Sequence, residues 1–338
     1  MTLAWFAYAL MGAGIVVWTL TAGADLGGGL WDLVVRGPDR ARDRAAIARA
    51  IAPIWEANHV WLIFVIVVLF GGFPRAFAVV GIALHVPIAI GLVGIVVRGS
   101  AFTFRAYGLG DDDERRRFGL VFGASSLVTP IAFGMALAGT ASSRIRVVGD
   151  RVIDAPPLAT WLSPFGLATG LFALALFALV AAAHLAADAG DDDVRRRFAR
   201  RAIVSEAIAF VCAACVLALS ASAAPDLFAA LSRAPFAIPL HVATAASALS
   251  ATGAFLVGRA SLGRALVVLQ VSCVVVGYGA SMNGALVLRD VTLANSAAPD
   301  RALAPMLVVI VVGTLLLVPS LAWLYRIARP ASVDDAHT

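Results

Sequence analysis

Residues 51–62 read IAPIWEANHVWL, and they place three polar side chains at the start of a long apolar run. Glu56, Asn58 and His59 lie close to two tryptophans, and residues 63–70 continue as IFVIVVLF without a charged side chain. A carboxyl group at the edge of hydrocarbon is costly and usually has a functional reason. A buried carboxyl can take up and release protons near neutral pH, so this stretch is a candidate proton-handling site.

The composition is that of a membrane protein, with 61% hydrophobic and 14% charged residues among 338 and a mean hydropathy of +0.91. Soluble domains are nearer about 45–50% apolar and about 25% charged. Long apolar blocks favour helices over a barrel, whose strands give short alternating segments. The net charge of +5 comes from arginine, and membrane topology accounts for it without a nucleic-acid partner.

Hydropathy predicts an all-α polytopic membrane protein with nine transmembrane helices, because about 20 apolar residues cross a bilayer. The N-terminal residues carry no basic stretch, so they are interpreted as a retained first helix and not a signal peptide. We expect a single transmembrane domain over residues 1–338, with helices 1–4 in about 3–140 and helices 5–8 in about 158–282. The predicted spans lie near residues 3–24, 54–72, 76–98, 119–140, 158–183, 202–223, 235–258, 262–282 and 304–326.

The arginines predict the orientation of these spans. Nineteen of the 26 basic residues fall in alternate connections on one side of the membrane, together with the C-terminal tail. Cytoplasmic connections carry the excess of basic residues. The N-terminus is therefore expected outside and the C-terminus in the cytoplasm.

This orientation places Asp25, Glu56 and Arg98 at one depth, on the cytoplasmic side of three consecutive helices. Asp25 follows the first predicted span within GADLGGG, residues 23–29, whose glycines allow a tight exit or a close neighbour. It either caps the next segment or joins Glu56 in proton handling. Arg98 either extends its side chain to the interface or compensates the charge of one of these acids.

Haem binding by this chain remains an alternative, since His85 and His241 both fall near the middle of predicted spans. Ligation by two histidines needs facing helices at equal depth, and a hydrogen-bonded histidine at a proline kink is the preferred interpretation. Cys212 and Cys215 are interpreted as small packing residues. The near-repeat DDDERRRF and DDDVRRRF, at residues 111–118 and 191–198, predicts two helix starts with interfacial arginines.

Three stretches resemble subunit II of cytochrome bd-type quinol oxidases, including the cyanide-insensitive branch. GADLGGG is similar to the family's Gly-Phe-Asp-Leu-Gly-x-Gly after helix 1. Residues 53–62, PIWEANHVWL, are similar to Pro-x-Trp-Asp-Gly-Asn-x-Val-Trp-Leu, with Glu in place of Asp and Ala57 in place of Gly. Arg98-Gly99 with Phe104-Arg105 is similar to the pattern that ends helix 3.

The resemblance implies nine helices arranged as two four-helix bundles and one peripheral helix, in the bacterial cytoplasmic (inner) membrane. It implies a haem-bearing partner, subunit I, with haem b and the quinol site; haem d and a small accessory subunit are left open. No haem or metal is then expected in this chain, and its implied partners are subunit I and membrane lipid. Glu56, Asp25, Asn58 and His59 would belong to a cytoplasmic proton path, with Arg98 as electrostatic partner.

Two other functions remain open from the sequence. A secondary transporter acting alone would use internal repeats and broken helices near the membrane centre, whereas the polar residues here lie at the membrane edge. A purely structural subunit would stabilise a haem-bearing partner without handling protons. Replacement of Glu56 would separate that case from a proton path.

Overall fold

The computed structural model describes residues 2–51, 58–108 and 111–328. The helices in this part of the chain are α1 (Thr2–Val34), α2 (Arg40–Ile51), α3 (His59–Gly72), α4 (Pro74–Ala83), α5 (His85–Tyr107), α6 (Asp112–Ala141), α7 (Pro164–Asp188), α8 (Asp192–Ala223), α9 (Pro225–Arg233), α10 (Ala237–Leu256), α11 (Ala260–Met282), α12 (Leu293–Ser296) and α13 (Asp300–Ala328). Two small antiparallel pairs join β1 (Arg146–Val148) to β2 (Arg151–Asp154), and β3 (Ala285–Val287) to β4 (Val291–Thr292).

Eight of these helices are long and apolar enough to cross a membrane, namely α1, α5, α6, α7, α8, α10, α11 and α13. The pair α3 and α4 makes a ninth if its two bent halves form one span. The prediction of an all-α polytopic membrane protein is therefore confirmed. Within the described residues, the number of spans is eight or nine.

The second and third predicted spans, 54–72 and 76–98, need correction. The chain bends by 116° between α3 and α4, and Phe73 at the bend has φ −139° and ψ 60°. Proline disfavours a helical conformation at the residue before it, and Pro74 follows directly. A second break at Leu84 precedes α5, which continues to Tyr107. Arg98 therefore lies inside a helix and not at its end.

The first predicted span, 3–24, is also too short. Helix α1 continues past Asp25 through three consecutive glycines to Val34. These glycines allow close packing and do not form a turn. A Cβ atom on Gly27 would collide with the backbone carbonyl of Phe177 in α7, and one on Gly29 with the side chain of Ser126 in α6.

Helix α7 lies at the centre of the molecule and packs against α1, α6, α8 and α11. Its second half is rich in alanine, and residues 175–183 are all buried. Small side chains let neighbouring backbones approach closely, which is how helices associate in lipid. The largest buried cluster of apolar side chains is built around this helix.

The two aspartate-rich repeats begin helices, as the sequence predicts. Asp111 accepts a hydrogen bond from the backbone N–H of Glu114 at the start of α6. Asp191 accepts from the N–H groups of Val194 and Asp193 at the start of α8. These bonds stabilise the ionised carboxylate and lower the pKa of Asp191.

Candidate functional site

A fully buried ion pair joins α1 to α5. Asp25 has no exposed surface and Arg98 is 1% exposed. The guanidinium of Arg98 donates from Nη2 to Oδ1 of Asp25 at 2.5 Å and from Nη1 to Oδ2 at 2.9 Å. Nη2 also donates to the backbone carbonyl of Asp25 at 3.0 Å. This bidentate contact consists of two charge-assisted N–H···O hydrogen bonds, which are stronger than hydrogen bonds between neutral groups.

Asn58, the residue that precedes α3, also hydrogen-bonds to the carboxylate of Asp25. Its Nδ2 donates to Oδ2 of Asp25 at 2.6 Å, and the residue is completely buried. Asn58 Oδ1 and the adjacent His59 Nδ1 are buried without a hydrogen-bond partner among the described residues. Both atoms can accept a hydrogen bond, and His59 can also donate one in its other tautomer.

Helix α6 supplies the remaining contacts of Arg98. Its Nε donates to the hydroxyl of Ser126 at 2.9 Å, and that hydroxyl donates to the carbonyl of Phe122 at 2.7 Å. The guanidinium lies over the Phe122 ring, 4.6 Å from the ring centre, as in a cation–π contact. Neither of these α6 residues was predicted from the sequence. Their one-turn spacing in an apolar helix was the only signal.

A second ion pair lies two turns further along the same two helices. Arg105 donates from Nη1 to Asp32 at 2.6 Å, and Arg44 of α2 donates to the backbone carbonyl of Asp32 at 3.0 Å. Asp32 follows Asp25, and Arg105 follows Arg98, by the same interval, so α1 and α5 run parallel here. This equal spacing could have identified Asp32 from the sequence.

A third buried aspartate connects the short helix α2 to α8. Asp43 is 1% exposed and accepts hydrogen bonds from Arg197 and from Arg201. Arg197 was predicted from the near-repeat as an interfacial arginine, whereas Arg201 and Asp43 were not predicted. Its arginine contacts cross more than 150 positions of sequence, and no local pattern reveals them.

Glu56, the main predicted proton-handling residue, lies outside the described residues. The described residues on either side of it both contact α1. Asn58 binds Asp25, and the side chain of Ile51 lies 2.8 Å from where a Cβ atom on Gly28 would stand. The two contacts on α1 are one helical turn apart.

The two histidines considered as haem ligands, His85 and His241, each lie within hydrogen-bond distance of a backbone carbonyl. His85 Nδ1 lies 2.8 Å from the carbonyl oxygen of Ile82, and His241 Nδ1 lies 2.6 Å from that of Ala237. In the residues that the structure describes, no three His, Cys, Asp or Glu side chains are grouped as metal ligands would be.

A sequence model of the family described as cytochrome bd terminal oxidase subunit II matches residues 1–328. The chain belongs to this family. Membership in the cytochrome bd subunit II family, with the candidate membrane helices, makes it a multi-pass protein of the bacterial inner membrane. The family resemblance seen in the sequence is thereby confirmed.

Two relatives in this family illustrate the degree of similarity. The putative cytochrome bd menaquinol oxidase subunit II of Bacillus subtilis is 23% identical over 207 residues, 60% of this chain and 58% of the relative. The cytochrome bd-I ubiquinol oxidase subunit 2 of Escherichia coli is 26% identical over 182 residues, 52% of this chain and 46% of the relative. The matched part thus spans about half the length of these relatives.

The bd oxidase from Geobacillus thermodenitrificans contains a chain with the same fold. The TM-score is 0.80 at 22% sequence identity, with 97% of this chain and 98% of that chain covered. The similarity in fold therefore extends over nearly the whole molecule.

Proposed function

We propose that this chain is the haem-free second subunit of a membrane quinol:O2 oxidoreductase and contributes to its cytoplasmic proton path. The observation that carries the proposal is the buried cluster of Asp25, Asn58 and Arg98 in a member of the cytochrome bd subunit II family. The relatives named as menaquinol and ubiquinol oxidase subunits support quinol as the substrate of the complex.

The partner in this proposal is a haem-bearing subunit I with haem b and, in a bd-type enzyme, haem d. The haems of the partner supply the reduction of oxygen to water with electrons from quinol. This chain stabilises subunit I and brings protons towards it. A small accessory subunit and bound membrane lipid are compatible with the same arrangement.

The proposal includes the orientation and the grouping of helices. The N-terminus lies outside and the C-terminus in the cytoplasm, in agreement with the arginine distribution. Helices 1–4 and 5–8 of the predicted spans form two four-helix bundles within a single domain. Helix α13 is peripheral, a role supported by its packing against α1 and α3 and its mostly exposed surface.

Within the path, Glu56 is the main proton-handling acid and Asp25 its companion. Arg98 compensates the charge of Asp25, because an unpaired carboxylate at this depth would be costly. The unpartnered acceptors of Asn58 and His59 would orient water molecules that carry protons. Support comes from the contacts of Ile51 and Asn58 with α1, since these two residues flank the segment that contains Glu56.

The decisive variant is Glu56→Gln, which preserves size and removes the titratable group. Quinol-dependent oxygen consumption by the purified complex should fall about a hundredfold, the lower end of what a positioned proton-transfer group contributes. The haem spectrum and the yield of the complex should not change. Glu114→Gln, an exposed glutamate at the start of α6, is the matched control and should keep full turnover. Full turnover in Glu56→Gln would leave a structural role only.

Purification from native membranes in mild detergent tests the class of protein itself. A larger haem-bearing chain should co-purify, and the preparation should oxidise quinol. A single haem-free chain, stable alone, would instead favour a stand-alone transporter, for which the 116° bend between α3 and α4 would be the first site to study.

A further inference from the structure

A fourth internal carboxyl group lies far from the Asp25 cluster, in the second half of the chain. Glu206 is about four turns into α8, and Gln270 is about three turns into α11. Gln270 Nε2 donates to Glu206 Oε1 at 2.5 Å. Both helices are candidate membrane spans, and the two residues fall inside the predicted spans 202–223 and 262–282.

The hydrogen bonds of this pair are incomplete. Glu206 Oε2 and Gln270 Oε1 are both buried, and neither has a partner among the described residues. Each is an acceptor when Glu206 is ionised, so no hydrogen joins them. Buried acceptors without a donor are costly, and natural structures almost always satisfy them.

Within the part of the chain that the structure describes, neither oxygen of Glu206 pairs with a cation. The buried carboxylates of Asp25, Asp32 and Asp43 each bind arginine, whereas Glu206 binds only an amide. On the packed helices, Arg201 of α8 is engaged by Asp43 and Arg264 of α11 by Asp188. The other titratable residues of α7, α10 and α11 are His184, His241, Cys273 and Tyr278.

We propose that Glu206 is a proton-binding site, held as a neutral carboxylic acid by Gln270. The proton resides on Oε2 and is donated to Gln270 Oε1, while Gln270 Nε2 donates to Oε1 of the acid. The two side chains then form a closed ring with two hydrogen bonds. One proton satisfies both orphaned oxygens and removes the isolated charge from the membrane interior. The ligand is a proton taken from water, and no other reactant is needed.

Infrared difference spectroscopy of the purified complex tests the proposal, using wild type and Glu206→Gln. The amide of this variant imitates the neutral acid, so the protein should fold normally. Wild type minus variant at neutral pH should contain one carbonyl band of a protonated carboxylic acid, shifted to lower wavenumber in D2O. The same subtraction with Glu114→Gln, the exposed control, should contain only carboxylate bands.

Gln270→Leu provides a second, independent readout. This variant removes the amide that donates to Oε1, so the acid carbonyl band should remain and move to higher wavenumber. The proposal is overturned if the Glu206→Gln subtraction shows carboxylate bands, because Glu206 would then be ionised and hydrated. An unshifted band in Gln270→Leu would equally remove Gln270 as its partner. Neither result depends on oxidase turnover, so the proposal stands apart from the role of Glu56.

Discussion

The neighbours of each buried charge decide its role. Arg98 and Asp25 have almost no exposed surface, and each satisfies the other's charge and hydrogen bonds. Such a pair adds little net stability over apolar side chains, but removal of one member leaves an uncompensated charge in the interior. The pair therefore holds α1 and α5 in one register at the depth of the proposed proton path.

Arg98→Gln should destabilise the protein strongly, by about 3–5 kcal/mol, because it leaves the carboxylate of Asp25 buried without a cation. Arg105→Gln is the matched control on the same helix. Its side chain is 29% exposed, against 2% for Arg98. In this variant Arg44 Nε still lies 3.6 Å from Oδ1 of the buried Asp32, so the loss should be smaller. Thermal unfolding of the purified complex in detergent measures both.

The double variant Asp25→Asn with Arg98→Gln gives the sharper comparison. It removes both charges, so it should recover much of the stability lost in Arg98→Gln. Equal destabilisation by the single and double variants would contradict the role of charge compensation.

At the scale of elements, three consecutive glycines near the C-terminal end of α1 serve packing. Glycine inside a helix costs about 1 kcal/mol relative to alanine, so their positions need a compensating contact. Gly27 faces the backbone of α7, Gly28 faces Ile51 of α2, and Gly29 faces α6. The segment that the sequence marked as a possible turn is where α1 approaches three other helices.

Gly27→Ala should lower the free energy of unfolding by about 1–3 kcal/mol. The new methyl group would overlap the Phe177 carbonyl and lie 2.8 Å from the Cβ atom of Ala181. Gly12→Ala in the same helix is the control, since no atom lies within 4 Å of its added Cβ. It should be neutral or stabilising by up to about 1 kcal/mol. Equal melting temperatures for the two variants would refute close packing of α1 on α7.

At the scale of the whole molecule, the two halves of the chain are joined through α7 and α2. Helix α7 packs against helices of both halves, and Asp43 of α2 binds arginines of α8. At the other end of α6, a hydrogen bond connects α4 to the turn between β1 and β2, where Arg75 donates to the carbonyl of Gly149 at 2.5 Å. Charged side chains thus connect neighbouring elements at both ends of the helices.

The proposed orientation predicts which end of α6 meets the cytoplasm. In a background without Cys212, Cys215 and Cys273, Asp150→Cys should react with a membrane-impermeant maleimide in intact cells. Asp113→Cys, exposed at the other end of α6, should react only after the membrane is permeabilised. The reverse pattern would invert the topology and place the Asp25 cluster on the outer side.

The sequence by itself determined the class of the protein, because apolar length and arginine content are local properties. Nearly all predicted spans correspond to helices, and the residues around Asp25 and Arg98 carry the family resemblance. Local patterns also predicted the helix starts at Asp111 and Asp191, since a cap depends only on the next few residues.

Only the tertiary structure decided which charges meet. Hydropathy ended the first span before Asp25 and the third at Arg98, because a charged side chain lowers the local average. Both helices continue, since each charge is satisfied by the other and by Asn58 and Ser126. The partners of Asp43 and Glu206 are likewise distant in sequence. The packing of the helices determines which side chains meet within an apolar bundle. Hydropathy along the chain does not indicate which helices pack together.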